Sequence, residues 1–173
     1  MRNFIKIILP MGISLFLLIG CSSKEQEKTI DSFINKLISV KTYEGVTFEE
    51  NTDKYVEESK SNFSEYLTED AFNNLMANRT PNFYYTVINE NNVTDITDIK
   101  IVKTKETEAD NYTHYEYEVS YKLKSDDKSM DMTDYMVFKI MKDNTSIIDE
   151  VSILKEKSSI FNEFINSKNY QIN

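Results

Sequence analysis

Between Tyr112 and Lys124 the chain alternates without a fault, with Tyr115, Tyr117, Val119, Tyr121 and Leu123 on one side and His114, Glu116, Glu118, Ser120 and Lys122 on the other. Successive side chains on a strand point to opposite faces, so this run predicts a strand with one buried and one wet face. The same period of two predicts further strands at 82–90, 93–105, 130–142 and 146–154. Short polar connections such as Asn91-Asn92 and Ser125-Asp126-Asp127-Lys128 leave no room for the crossover that parallel neighbours need. An antiparallel meander follows.

Ahead of Pro81 the period is helical. Ile30, Phe33, Ile34, Leu37 and Ile38 draw one apolar stripe down a helix over 28–40. A second helix is predicted over 52–67, with Tyr55, Val56, Phe63, Tyr66 and Leu67 inward. A third opens at Thr68, a good N-cap, with Glu69 and Asp70 at its positive end and Phe72, Leu75 and Met76 facing inward. Arg79 and Pro81 mark its stop. Ile160, Phe161, Phe164 and Ile165 have helical spacing and predict one more helix over 158–165. Helices followed by strands make an α+β fold, with amino-terminal helices packed on an antiparallel sheet, and 28–173 reads as a single domain.

The first residues have a different character. Arg2 and Lys6 precede an apolar run from Ile7 to Gly20 that contains Pro10 and is short for a helix crossing roughly 30 Å of hydrocarbon. The run ends in Leu18-Ile19-Gly20-Cys21. These four residues resemble the lipobox of bacterial lipoprotein precursors. The resemblance implies that signal peptidase II cuts after Gly20, that 1–20 is a signal peptide, and that Cys21 carries a fatty-acyl anchor. Residues 21–27 then read as a flexible tether, and the protein is placed on the extracytoplasmic face of the cell membrane.

The inventory of side chains excludes several chemistries. Cys21 is the only cysteine and His114 the only histidine, so neither an internal disulfide nor a zinc shell of His and Cys can be built, and the lipid link uses the one sulfur. Of three glycines, Gly12 and Gly20 leave with the signal and only Gly45 remains, too few for a phosphate-binding loop. No cofactor is expected. Loss of Arg2 and Lys6 takes 20 basic residues to 18 against 29 acids, so the formal charge moves from −9 to −11. That balance argues against nucleic acid as a partner.

The order of elements, with the run Tyr66-Leu67-Thr68-Glu69-Asp70-Ala71-Phe72-Asn73-Asn74-Leu75-Met76-Ala77-Asn78-Arg79, resembles small Gram-positive lipoproteins of the NTF2-like, cystatin-related fold. The resemblance covers most of 28–155 and implies a strongly bent sheet wrapped into a cone, with the helix over 158–165 as a departure at its mouth. Such folds serve as enzymes, transport factors and scaffolds, so function has to be argued from residues.

Among Met130, Met132, Asp134, Met136, Phe138 and Ile140, one carboxyl group stands in an apolar row. A carboxyl in an aromatic pocket is one way to make a general base, with Tyr115, Tyr117 and Tyr121 as lining. The alternative turns Asp134 to solvent and leaves the tyrosines as core. His114 falls on the wet face, and Asp126, Asp127 and Asp131 lack the spacing and central glycine of a calcium loop, so no metal site is expected. The reading is a non-catalytic, membrane-anchored binding module with an envelope protein or a small molecule as its partner. A structural subunit of an envelope or conjugation assembly, or a small pocket enzyme using Asp134, are the alternatives.

Overall fold

The computed structural model describes residues 24–43 and 52–170, the last three of these in backbone only. The elements are α1 (24–37), α2 (Thr52–Phe63), α3 (Glu69–Ala77), α4 (Thr80–Glu90), β1 (Asp95–Glu108), β2 (Tyr112–Lys124), β3 (Ser129–Met141), β4 (Glu150–Ile153) and α5 (Ser159–Tyr170). The strands lie in the order β1-β2-β3-β4, and every neighbouring pair is antiparallel. The fold is α+β, with helices leading into an open antiparallel sheet. No helix among the described residues is long and apolar enough to cross a membrane.

Alternation on β2 and β3 does what the sequence requires of it. Tyr115, Tyr117, Val119, Tyr121 and Leu123 are buried, as are Met132, Asp134, Met136, Phe138 and Ile140 on the facing positions of β3. The α1 stripe of Ile30, Phe33, Ile34, Leu37 and Ile38 enters the same core, each at 0 % exposure. The Phe33 ring sits 6.0 Å from Phe138 and 5.7 Å from Phe63, which ties α1 to both β3 and α2. Burying one such side chain contributes about 1.5–3 kcal/mol.

At α3 the cap is the expected one, with the Ala71 N–H donating to Thr68 Oγ1 at 3.2 Å. Beyond it the sequence reading fails at one element. The segment predicted as a strand over 82–90 is helix α4, with Pro81 inside its first turn. Pro81 therefore starts a helix rather than stopping the previous one, because its fixed φ and missing N–H suit a first helical turn. Thr80 to Ile88 are all buried. A helix covered on every side is apolar all round and loses the stripe that would identify it, so its aromatic and β-branched residues imitate a strand.

Other boundaries move as well: the helix expected over 28–40 occupies 24–37, the strand expected over 93–105 is Asp95–Glu108, and the helix expected over 158–165 runs Ser159–Tyr170. α2 ends at Phe63, short of the 67 expected. The strand expected over 146–154 is reduced to Glu150–Ile153, because Ile148 is engaged by another segment. Its N–H donates to the Tyr66 carbonyl at 2.8 Å, and its carbonyl accepts from Thr68 N–H at 3.0 Å.

The tether expected over 21–27 is helical from residue 24 onward. Gln26 is 3 % exposed and accepts a hydrogen bond from the Tyr115 hydroxyl, while Glu27 pairs with Lys103 at 2.5 Å. These partners on the sheet hold the first turn of α1 in place.

β1 carries register shifts between Thr97 and Lys100 and between Lys103 and Lys105, with Asp98 at φ 56° in the first. Extra residues of this kind bend and twist the strand that holds them. α5 closes the opposite side of the core: its Phe161 and Phe164 rings lie 5.1 and 5.0 Å from Phe83 of α4.

Candidate functional site

Asp134 is fully buried on β3, at 0 % exposure. Its surroundings supply four donors. Oδ2 accepts from the Tyr121 hydroxyl at 2.7 Å and from the Tyr84 hydroxyl at 3.1 Å. Oδ1 accepts from the Ser158 hydroxyl at 2.6 Å and from the Ile160 N–H at 3.1 Å. Tyr121 arrives from β2, two residues on from Val119, which is paired with Asp134, and Tyr84 arrives from α4. Ser158 immediately precedes α5, and Ile160 lies in its first turn.

Each partner is itself held. Ser158 caps α5 by accepting from Phe161 N–H at 3.2 Å, and Ser159 Oγ accepts from Thr133 N–H at 3.0 Å, fastening the helix start to β3. The ring of Tyr43 stacks on Tyr84 with centroids 6.5 Å apart and planes 3° from parallel, and its hydroxyl donates to the Leu37 carbonyl at 2.6 Å. Burial, followed by the Asp134 charge, pushes the phenols of Tyr84 and Tyr121 well above the usual tyrosine range. Burial raises Tyr43 likewise, with Tyr55 adding to it. All three phenols hold their protons as donors.

Of the four residues grouped as a candidate pocket, the fold joins Asp134 with Tyr121 and separates the other two. Tyr115 turns to Gln26, and burial pushes its phenol up to about 12. Tyr117 lies edge-on to Phe138 with centroids 5.8 Å apart. Asp134 does not turn to solvent. It is a polar centre within the core, with donors on both oxygens. Tyr84 was hidden by the misread helix, whereas Ser158 had a legible signal as a Ser preceding an apolar helical run.

The remaining candidates stay on the surface. His114 lies on the outer face of the sheet with its ring 4.8 Å from that of Tyr112. Asp126 and Asp127 are exposed in the β2–β3 turn, and Asp131 lies 3.7 Å from Lys122. No group of three or more His, Cys, Asp or Glu among the described residues is placed to hold a metal ion. Leu18, Ile19, Gly20 and Cys21 lie outside the described residues.

Concave surface occurs beside the first bulge of β1. A cleft of about 430 Å³ includes Asp98, Ile99, Lys122, Asp131 and Thr133 in its lining. A second, of about 230 Å³, shares Ile99 and runs between Ile38 and Val40 on one side and Thr94 to Ile96 on the other. On the outer face of the sheet, Val102 is 51 % exposed but stands in register with Glu118 and, beyond it, Tyr135, whose hydroxyl donates to Glu118 at 2.8 Å. That face mixes charged and polar side chains with Val102, Val137 and Met141. No protein-family model matches the chain, and no curated protein or solved structure is significantly similar to it.

Proposed function

We propose that this protein is an extracytoplasmic lipoprotein, anchored through Cys21, that acts as a binding or interaction module rather than as an enzyme. The run Leu18-Ile19-Gly20-Cys21 supports the address. The observation that carries the mode of action is the saturation of Asp134. General acid or base work needs a group within about 2.6–3.2 Å of a substrate proton, and this carboxyl is enclosed and already accepts four bonds. Its role is to join β3, β2, α4 and α5.

We assign recognition to the pair of clefts that meet at Ile99. The first lies across β1, β2 and β3 at the β1 bulge, and the second where α1 ends and β1 begins. The test compares Cys21→Ala, Asp134→Asn and Ile99→Glu in a strain lacking the native copy. Cys21→Ala removes the address and abolishes the cellular role, leaving unprocessed precursor by mass spectrometry of the amino-terminal peptide. Ile99→Glu weakens it in a folded, anchored protein. Complete loss of function in a folded, anchored Asp134→Asn variant would overturn the binding reading in favour of a pocket enzyme.

A further inference from the structure

Covalent reach sets how this domain stands on a membrane. Three peptide steps separate Cys21 from Lys24, where α1 has begun, and three extended residues span at most about 10 Å. The interfacial layer of one leaflet is itself roughly 5–7 Å thick. Unwinding α1 to lengthen the tether is opposed at three residues of its first turn: Glu25 accepts from Thr145 at 3.2 Å, Gln26 from Tyr115, and Glu27 pairs with Lys103.

The same contacts show which parts of the fold share that end. Thr29 Oγ1 donates to the Ser146 carbonyl at 3.4 Å, placing the β3–β4 loop beside the start of α1. Lys142 N–H donates to the Asn111 carbonyl at 2.9 Å, and its ammonium lies 3.3 Å from Glu108, so the β1–β2 hairpin tip is next to that loop. α1 runs from this end toward Thr94 and Ile96, whereas β1 runs back from them to the hairpin. The tip therefore projects past Lys103 and Glu106 in the direction of the α1 N-terminus.

Resting on the lipoprotein reading, we infer that this end of the domain, formed by the first turn of α1, the β1–β2 hairpin tip at Asp110 and Asn111, and the β3–β4 loop at Asp143 and Asn144, is held against the headgroup layer of the bilayer. The chemistry of the surface fits that neighbour. Its tips are exposed and polar, suited to hydrated headgroups and not to hydrocarbon. Lys24, Lys28, Lys103 and Lys142 stand against Glu25, Glu27, Glu106, Glu108, Asp110 and Asp143, a local charge of −2, whereas the mature chain as a whole carries −11. This end can approach anionic lipid within a Debye length of about 8–10 Å with less of the repulsion the rest of the molecule would meet. The clefts at Ile99 consequently point away from the membrane.

The experiment places single cysteines in the lipidated full-length protein, since the thioether at Cys21 leaves no competing thiol. Asn111→Cys and Asn144→Cys probe the near end, and Asn92→Cys and Asp126→Cys the far one. Each is labelled with a fluorophore in phosphatidylglycerol-containing vesicles that include lipids spin-labelled at the headgroup. Quenching several-fold stronger at positions 111 and 144 than at 92 and 126 is expected. Equal quenching at both ends, or none, in protein shown to be lipidated and vesicle-bound would overturn the orientation and leave the anchor standing. An unmodified Cys21 by mass spectrometry would overturn the lipoprotein reading and the orientation with it. A Gly/Ser linker of about ten residues after Ser23, with a root-mean-square span of about 17 Å, should abolish the near-end quenching while vesicle binding persists. Undiminished quenching with the linker would refute short reach as its cause.

Discussion

At the scale of single residues, the consequences of the Asp134 centre are energetic. In Asp134→Asn one acceptor oxygen becomes an NH₂ donor that faces hydroxyls already donating inward, so stability should fall by about 1–3 kcal/mol. Asp134→Ala orphans four buried donors and should cost about 4 kcal/mol or more. Urea denaturation of both variants checks the ranking, and a more stable Ala variant would refute it. The tyrosines give a second prediction. Among 11 tyrosines, Tyr43, Tyr84 and Tyr121 have phenols raised well above the unfolded value of about 10. A raised folded value means that the fold favours the protonated form. Their contribution is fully present below about pH 10 and is lost as pH rises beyond it, since the unfolded chain ionises first. Ultraviolet titration should therefore show a main phenolate step that omits these three, together with Tyr55, Tyr115 and Tyr117, whose phenols burial also raises, followed by a further step coincident with alkaline unfolding.

Elements show which parts of the architecture can be read without coordinates. β2 was legible residue for residue because one face is wet and the other is dry, and α1 because its stripe is bounded by exposed residues. Leu37, at 0 % exposure, tests that stripe: Leu37→Ala should cost about 2–5 kcal/mol in chemical denaturation. α4 was illegible for the opposite reason. Phe83, Tyr84, Tyr85, Val87 and Ile88 are buried around the whole circumference, so neither period stands out. The candidate site shares that fate. Alternation placed Asp134 and Tyr121 on one face, but nothing local could say that a partner from α4 and the start of α5 would consume the carboxyl. α5 is thus a working part of the core. Removing residues 158–173 should expose Phe83 and orphan Asp134 Oδ1, with a lower thermal midpoint and binding of a hydrophobic dye as the readouts. An unchanged midpoint would show α5 to be an appendage.

For the whole molecule, a single thiol means that cohesion comes from one core and its buried polar centre. Thermal unfolding should be indifferent to reductant, in contrast to exported domains stapled by disulfides, and a shifted midpoint with dithiothreitol would count against it. The bent first strand has a further consequence. Among the described residues β1 is an edge of the sheet, so one row of its amides and carbonyls has no neighbouring strand there. Long flat edges of this kind template the addition of another chain. The two register shifts interrupt that row, and Lys100, Lys103 and Lys105 place charge along it. On a bilayer, copies of the protein would be confined to two dimensions with their edges in a common plane, the arrangement that most favours edge-to-edge polymerisation. Under the proposed anchoring, the irregularities of β1 would deny such a crowd the unbroken edge that a fibre needs.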